Sequence, residues 1–189
     1  MENKRPTCHV FIGTSLDNFI ADTEGGFAWL ENSSDGSEGD FGFADFMAEI
    51  DCMVMGRKTY DVVAGMVDRP WAYAGKRVVV LTSRTTDTTD ARVEFCEEKS
   101  MARLVERLGT EGVRRVYVDG GEVIRAFLRE DLVDTMHITR VPVLLGAGVP
   151  LFAADEKHLP SGEKQWKLVS SQVSAKFGIV SCKYARNME

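Results

Sequence analysis

Four stretches of the chain place glycine, cations, hydroxyls or acids where an apolar run ends. Met55-Gly56-Arg57-Lys58-Thr59-Tyr60 follows the apolar CMVM and opens the helical KTYDVVAGM. Glycine lets the backbone turn closely, a helix N-terminus presents free N–H groups to an anion, and Arg57, Lys58 and Thr59 add charge and a hydroxyl. Such a site suits a phosphate, although a capped strand-to-helix turn with solvated cations has the same residues. Leu81-Thr82-Ser83-Arg84 closes the most apolar run, which places hydroxyls and a cation where α/β proteins bind ligands, beyond the carboxyl ends of the strands. Val118-Asp119-Gly120-Gly121-Glu122 joins a strand to a helix through two glycines, which admit a phosphate near the backbone and the helix dipole. The fourth stretch, Leu132 to Thr139 followed by the Gly- and Pro-rich Pro142 to Phe152, reads locally as a strand and a tight structural turn. No GxGxxG fingerprint occurs.

These stretches need elements to position them. Strand-like runs recur as CHVFIGTS near the start, CMVM at 52–55, RVVVLTS at 77–83, RVYV at 115–118 and TMHITRVPV at 135–143. Between them, 100–109 predicts a helix with a Ser cap and apolar Met101, Leu104, Val105 and Leu108. The stretch from Glu122 repeats the pattern with Val123, Ile124, Phe127 and Leu128. Alternating strands and helices with short connections imply βαβ units and a largely parallel sheet. The end differs: residues 167–186 form two runs split near Lys176 to Gly178, which predicts an antiparallel hairpin. The acidic, Gly/Ser-rich ENSSDGSEGD between Glu31 and Asp40 predicts a mobile surface loop. No repeat or linker divides the chain, so residues 1–189 read as one domain.

Composition removes several classes of function. A net charge of −6 over 189 residues, with no basic stripe, speaks against nucleic acid as a partner. No stretch approaches the roughly 20 apolar residues of a membrane span, and the start lacks the pattern of a secretory signal. Cys8, Cys52, Cys96 and Cys182 lie far apart without a CxxC pair, and His9, His137 and His158 are equally scattered, so buried free thiols are expected and a metal site is not. Reduced thiols without a signal point to the cytoplasm.

Taken together, SLDNFIA, VMGRKTY, VVVLTSR, VYVDGGEVI and LVDTMHITRVPVLLGAGVPLF resemble, in order and spacing, the dihydrofolate-reductase-like superfamily. More closely they are similar to its branch with the reductase domain of the bifunctional riboflavin-biosynthesis deaminase/reductase and its stand-alone relatives. The resemblance covers roughly residues 8–184. It implies a dihydrofolate-reductase-like α/β fold: a mixed, mostly parallel central sheet flanked by helices, with a C-terminal antiparallel hairpin.

The resemblance also implies NADPH as cofactor. Its phosphates and adenine ribose, including the 2′-phosphate, would fall to Gly56, Arg57, Lys58, Thr59, Thr82, Ser83 and Arg84. Gly120 and Gly121, a pair often joined by a cis peptide in the family, would lie under the nicotinamide and pyrophosphate, followed by Glu122, Val123 and Ile124. Gly13, Ile20 and Ala21 would flank the nicotinamide, and Thr139 would lie near the inner edge of the cofactor. In dihydrofolate reductases an acid at the start of the helix before the VMGR-type turn binds the pterin; counting back from Gly56, the match is Asp40, with Asp45 as runner-up.

The chain departs from true dihydrofolate reductases in having Ala28-Trp29 in place of a Pro-Trp pair, and in the ENSSDGSEGD insertion. Trp29, Phe43, Phe46 and Met47 would wall a pocket for a flat heterocyclic substrate; the last three, at helical spacing, are equally the buried face of a helix. No zinc-deaminase signature occurs, so a reductase half alone is expected. The expected activity is NADPH-dependent reduction of a pyrimidine- or pterin-like small molecule, with a ribosylaminouracil of riboflavin biosynthesis as the family-level substrate. The alternatives are a divergent dihydrofolate reductase and an NADPH-binding protein without chemistry. Apolar edges of the terminal hairpin make a homodimer the expected assembly.

Overall fold

The computed structural model describes residues 5–66, 70, 71, 73–83, 90–152 and 163–187. Strands covered on both faces need apolar side chains at every position rather than at alternate ones. That is how β3 (Cys52–Gly56), β4 (Arg77–Leu81) and β6 (Arg115–Asp119) read, and each has at least three consecutive buried residues. They lie inside an eight-stranded sheet of order β5-β4-β3-β6-β1-β7-β10-β9, completed by β1 (Thr7–Thr14), β5 (Glu94–Cys96), β7 (Val133–Arg140), β9 (Trp166–Ser174) and β10 (Ile179–Arg186). From β5 to β7 every pairing is parallel; β10 then pairs antiparallel with both β7 and β9. The expected mixed sheet with a terminal hairpin is present.

Alternation along the strands sorts their side chains onto two faces. One carries Cys8, Val10, Val54, Val79, Val116 and Val118 and packs on α4 (Met101–Thr110) and α5 (Gly121–Arg129) through Leu104, Leu108, Ile124 and Phe127. The other carries Phe11, Met53, Met55, Val78, Val80 and Tyr117 beneath α2 (Phe43–Glu49) and α3 (Arg57–Ala64). Ser100 caps α4 as its sequence predicts, accepting from Arg103 N, while the Glu130 carboxylate accepts from Met101 N and Ala102 N at 3.0 and 2.8 Å.

Three short strands were not visible in the periodicity: β5, β2 (Phe19–Ala21) and β8 (Val149–Pro150). The last two form a ribbon outside the main sheet, so the Gly/Pro turn does more than end β7. Helix α1 (Ala28–Glu31) ends on the first residue of the predicted surface loop. The rest is mostly exposed and tied down, because Lys176 in the hairpin turn donates to Asp35 Oδ2 at 2.8 Å and Ser37 Oγ at 3.1 Å. All four cysteines are free; Cys8 and Cys52 are buried, which pushes both thiols up to about 12, whereas Cys96 and Cys182 are only half-buried. Among the described residues no group of His, Cys, Asp and Glu is arranged for a metal ion, and no helix is long and apolar enough to cross a membrane.

The connections fix where a ligand can enter. From β3 the chain passes through α3 outward to β4, whereas from β6 it passes through α5 the opposite way, past β1 to β7. The adjacent strands β3 and β6 therefore send their following helices to opposite faces, leaving a crevice at their carboxyl ends.

Candidate functional site

Two helices begin at that crevice, and neither has a side-chain cap. Gly56 precedes α3 in an extended conformation, and Gly120 precedes α5 at φ 85°, ψ 135°. A Cβ on Gly120 would run into Thr59 Oγ1, and one on Gly56 would stand 3.3 Å from Val123 Cγ2, so the two helix starts adjoin. Lys58 Nζ and Glu122 Oε1 face each other across the gap at 3.5 Å, both well exposed. Each helix start carries N–H groups without intrahelical partners and the positive end of a dipole; two together suit a diphosphate. The Gly120–Gly121 peptide is trans, not the cis bond implied by the resemblance. The turn is made instead by the dihedral angles of Gly120, in a region that a Cβ would forbid.

On the β4 side, Arg57 donates through Nε to Asp61 Oδ1 at 2.7 Å, with its guanidinium 5.7 and 5.6 Å from the ring centroids of Tyr60 and Phe95. Tyr60 donates to Asp90 Oδ2 at 2.8 Å, and Arg92 clamps the same carboxylate, so this wall is held by aromatic edges and ion pairs. Thr82 and Ser83 follow β4, with Thr82 N bonded to Cys96 O; Arg84 lies outside the described residues.

On the β1 side the small ribbon presses on the start of α5. A Cβ on Gly121 would meet Arg125 Nη1 at 2.8 Å, Pro150 O at 3.0 Å and Ile20 Cδ1 at 3.3 Å, and Ala21 pairs with Val149. Gly13, the last residue but one of β1, pairs with Thr139 of β7, and the space its side chain would fill is taken by Leu30 of α1. Thus Gly13, Ile20, Ala21, Gly56 to Thr59, Gly120 to Glu122 and Thr139 all come to the carboxyl end of the sheet. Val123 and Ile124 come there only through their backbone, since their side chains belong to the core.

The proposed substrate wall is half core. Phe43 and Phe46 lie 5.2 and 5.1 Å from Phe11 between ring centroids, and Phe46 lies 5.1 Å from Tyr117. With Met47 they are the half-buried face of α2. Trp29 is half-buried and donates from its indole to Gly26 O at 3.3 Å. Asp40 is exposed and accepts from Gly42 N at 3.0 Å and Ala44 N at 2.7 Å, which makes its carboxylate the cap of α2; Asp45 is exposed on that helix.

The acid that the motif reading passed over is Asp119. It ends β6 on the face of Tyr117, and its Oδ1 accepts from Gly120 N at 2.8 Å. Burial pushes its carboxyl up to about 6, with only that backbone N–H opposing the shift. A carboxylate closing the apolar Val116-Tyr117-Val118 run was the available signal; beside a Gly-Gly turn it read as part of the turn.

A mixed sheet closed by an antiparallel hairpin, with a ligand crevice at its switch point between two glycine-started helices, defines a dihydrofolate-reductase-like α/β protein. Within that class the chain belongs to the family of the RibD C-terminal domain, which it matches over residues 6–177. It is similar to a candidate riboflavin biosynthesis protein from Shewanella sp. PV-4, with 35% identity, a TM-score of 0.84 and coverage of 96% of this chain and 99% of that one. It is also 35% identical over 144 residues to the uncharacterized protein YwjB of Bacillus subtilis, covering 76% of this chain and 80% of YwjB. The diaminohydroxyphosphoribosylaminopyrimidine deaminase/5-amino-6-(5-phosphoribosylamino)uracil reductase of Thermotoga maritima shares the fold at 18% identity and a TM-score of 0.70, with 97% of this chain matched to 57% of that one.

Proposed function

We propose that this chain is an NADPH-dependent reductase acting on a pyrimidine- or pterin-like small molecule. The adjoining, side-chain-uncapped starts of α3 and α5 carry the proposal, because they offer backbone donors to a diphosphate where the sheet opens. The dinucleotide fits these residues: Gly56 to Thr59 and Gly120 to Glu122 would hold the phosphates, and Arg57 with Thr82, Ser83 and Arg84 would take the 2′-phosphate. Gly13, Ile20, Ala21 and Thr139 would border the nicotinamide, with Val123 and Ile124 contributing backbone alone. When bound, the nicotinamide supplies the hydride.

The protein aligns donor and acceptor and keeps water out, and for this Leu30, Trp29, Phe43, Phe46 and Met47 supply the apolar side of the opening. Asp119 places a carboxyl of raised pKa below the Gly-Gly turn, where it responds to any charge brought to the crevice. Asp40, engaged as a helix cap, supports the divergent dihydrofolate-reductase alternative less well than an acid free to reach a substrate would.

The Thermotoga protein's 5-amino-6-(5-phosphoribosylamino)uracil is the first substrate to test, followed by dihydrofolate and related pterins. NADPH oxidation followed by absorbance is expected with at least one of these heterocycles. NADPH binding with no oxidation across the whole panel would contradict the reductase reading and leave a binding protein.

A further inference from the structure

Most of the buried sheet face beneath α2 and α3 is apolar, but a connected file of polar groups crosses it between β7 and β10. His137 Nε2 lies 2.8 Å from Ser181 Oγ, and Ser181 Oγ lies 2.7 Å from Thr139 Oγ1. Ser181 and Thr139 are 1% and 7% exposed, so their hydroxyls have lost water and depend on one another. The imidazole is half-exposed, with its ring centroid 4.2 Å from that of Phe11 on β1 and with Lys183 as its charged neighbour on β10. At the other end, Thr139 is the register partner of Gly13, the residue without a side chain at the carboxyl end of β1.

Ordinary cross-strand hydroxyl pairing accounts for one contact of this kind. It does not account for a file that starts at a titratable ring within reach of solvent and stops at the carboxyl end of the sheet, where the Leu30 side chain fills the space beside Gly13. His9, on the same face, shows the contrast: it is satisfied by Thr7 and Thr135, each at 2.8 Å, and both partners lie at the amino end of the sheet.

We propose that His137, Ser181 and Thr139 form a proton relay that ends beside Gly13 and supplies the proton accompanying hydride transfer. The inference rests on the reductase reading above. An acceptor carbon that receives hydride breaks its π bond to the neighbouring heteroatom, and the electron pair left there takes one proton. The acceptor is thereby reduced by two electrons and the nicotinamide oxidised by two. Thr139 gives the hydroxyl proton, takes one from Ser181, and Ser181 takes the Nε2 proton of His137 while water delivers a proton to Nδ1. The imidazole starts as the Nε2–H tautomer and ends as the Nδ1–H tautomer, so one solvent proton is consumed and the ring stays neutral. A neutral ring is what burial and the nearby Lys183 ammonium favour, since both hold His137 below the usual histidine range. His137 and Ser181 act through Thr139 and are positioning residues.

The test is nitrogen NMR of protein labelled with 15N-histidine, with and without saturating NADPH, and with His137 assigned by loss of its signals in His137→Gln. The relay predicts that loading NADPH changes the Nδ1 and Nε2 shifts of His137. That response should vanish in Ser181→Ala and return in Ser181→Thr, with NADPH affinity within about twofold of the parent. NADPH binding that leaves His137 unmoved, or that moves it equally in Ser181→Ala, would overturn the relay alone. Absence of NADPH binding to the parent protein would instead remove the reductase reading, and the relay with it.

Discussion

Asp119 is half-buried at the end of β6, where a charge is disfavoured. Its carboxyl, raised to about 6, is neutral below that pH and negative above it, directly under the glycine turn proposed to receive a diphosphate. Affinity for NADPH should therefore fall as pH rises through 6, and Asp119→Asn should flatten that dependence when Kd is measured from pH 5 to 8. A profile unchanged by the substitution would place the cofactor away from β6. The same shift has a sign for stability: the native state binds the proton more tightly than the unfolded chain, so stability is present at low pH and lost as pH rises through the folded pKa. Asp119→Asn should recover about 2–4 kcal/mol at pH 8 in denaturant unfolding. Arg57 contributes differently, through charge. Arg57→Ala should weaken NADPH by about tenfold or more and NADH by much less, because a charge-assisted hydrogen bond to the 2′-phosphate is worth about 1.5–3 kcal/mol. Equal weakening of the two would assign Arg57 to the diphosphate or to the fold.

Among the elements, the glycine turn before α5 is the most demanding. Gly120 has φ 85° and stands against Thr59, so Gly120→Ala meets both a strained backbone and a clash. The expected loss is about 1–3 kcal/mol of stability in urea unfolding, with loss of NADPH binding; a variant as stable as the parent would mean that the turn relaxes. This turn shows what could be read in the chain and what could not. Residues 100–109 and the stretch from Glu122 carry two or more turns of apolar spacing and became α4 and α5 within one residue at either end. The terminal hairpin announced itself by two long runs and a break. By contrast β2, β5 and β8 have three residues or fewer, too short for any period, and β2 and β8 exist because they pair with each other across more than a hundred residues. The glycines at the two helix starts were legible because each follows an apolar run and opens a helical pattern, as Gly56 does before α3 and Gly120 before α5. Asp40 was located by counting along the chain, and counting does not show that a carboxylate turns back to cap its own helix. Asp119 was hidden by its neighbours, and the His137 to Thr139 file became visible only when β10 folded back on β7.

For the molecule as a whole, the sheet is closed on one side only by the hairpin. Among the described residues strand β9 pairs with β10 alone, and Leu168, Val169 and Val173 along it are more than half exposed. We propose that this edge pairs two copies into the homodimer expected from the sequence, since an open apolar strand edge is otherwise an aggregation hazard. Sedimentation should give twice the 21.0 kDa of one chain, and Val173→Lys should return the mass to that of one chain. A single-chain mass for the parent would contradict the assembly without touching the site. Charge is also unevenly placed: residues 6–56, which build β1, the ribbon strand β2, α1, α2 and β3, contain no Lys or Arg. The cations proposed for the cofactor, Arg57, Lys58 and Arg84, all follow that stretch in the sequence, so under the proposal the phosphates and the flat end of the dinucleotide would meet different surroundings.

The central claim, that two glycine-started helices at the switch point of the sheet form an NADPH site, is tested most directly by titrating the purified protein with NADPH and with NADH while following nicotinamide fluorescence. Saturable enhancement with NADPH, tighter than with NADH, is the predicted result. No change in fluorescence at millimolar concentrations of either nucleotide would contradict it.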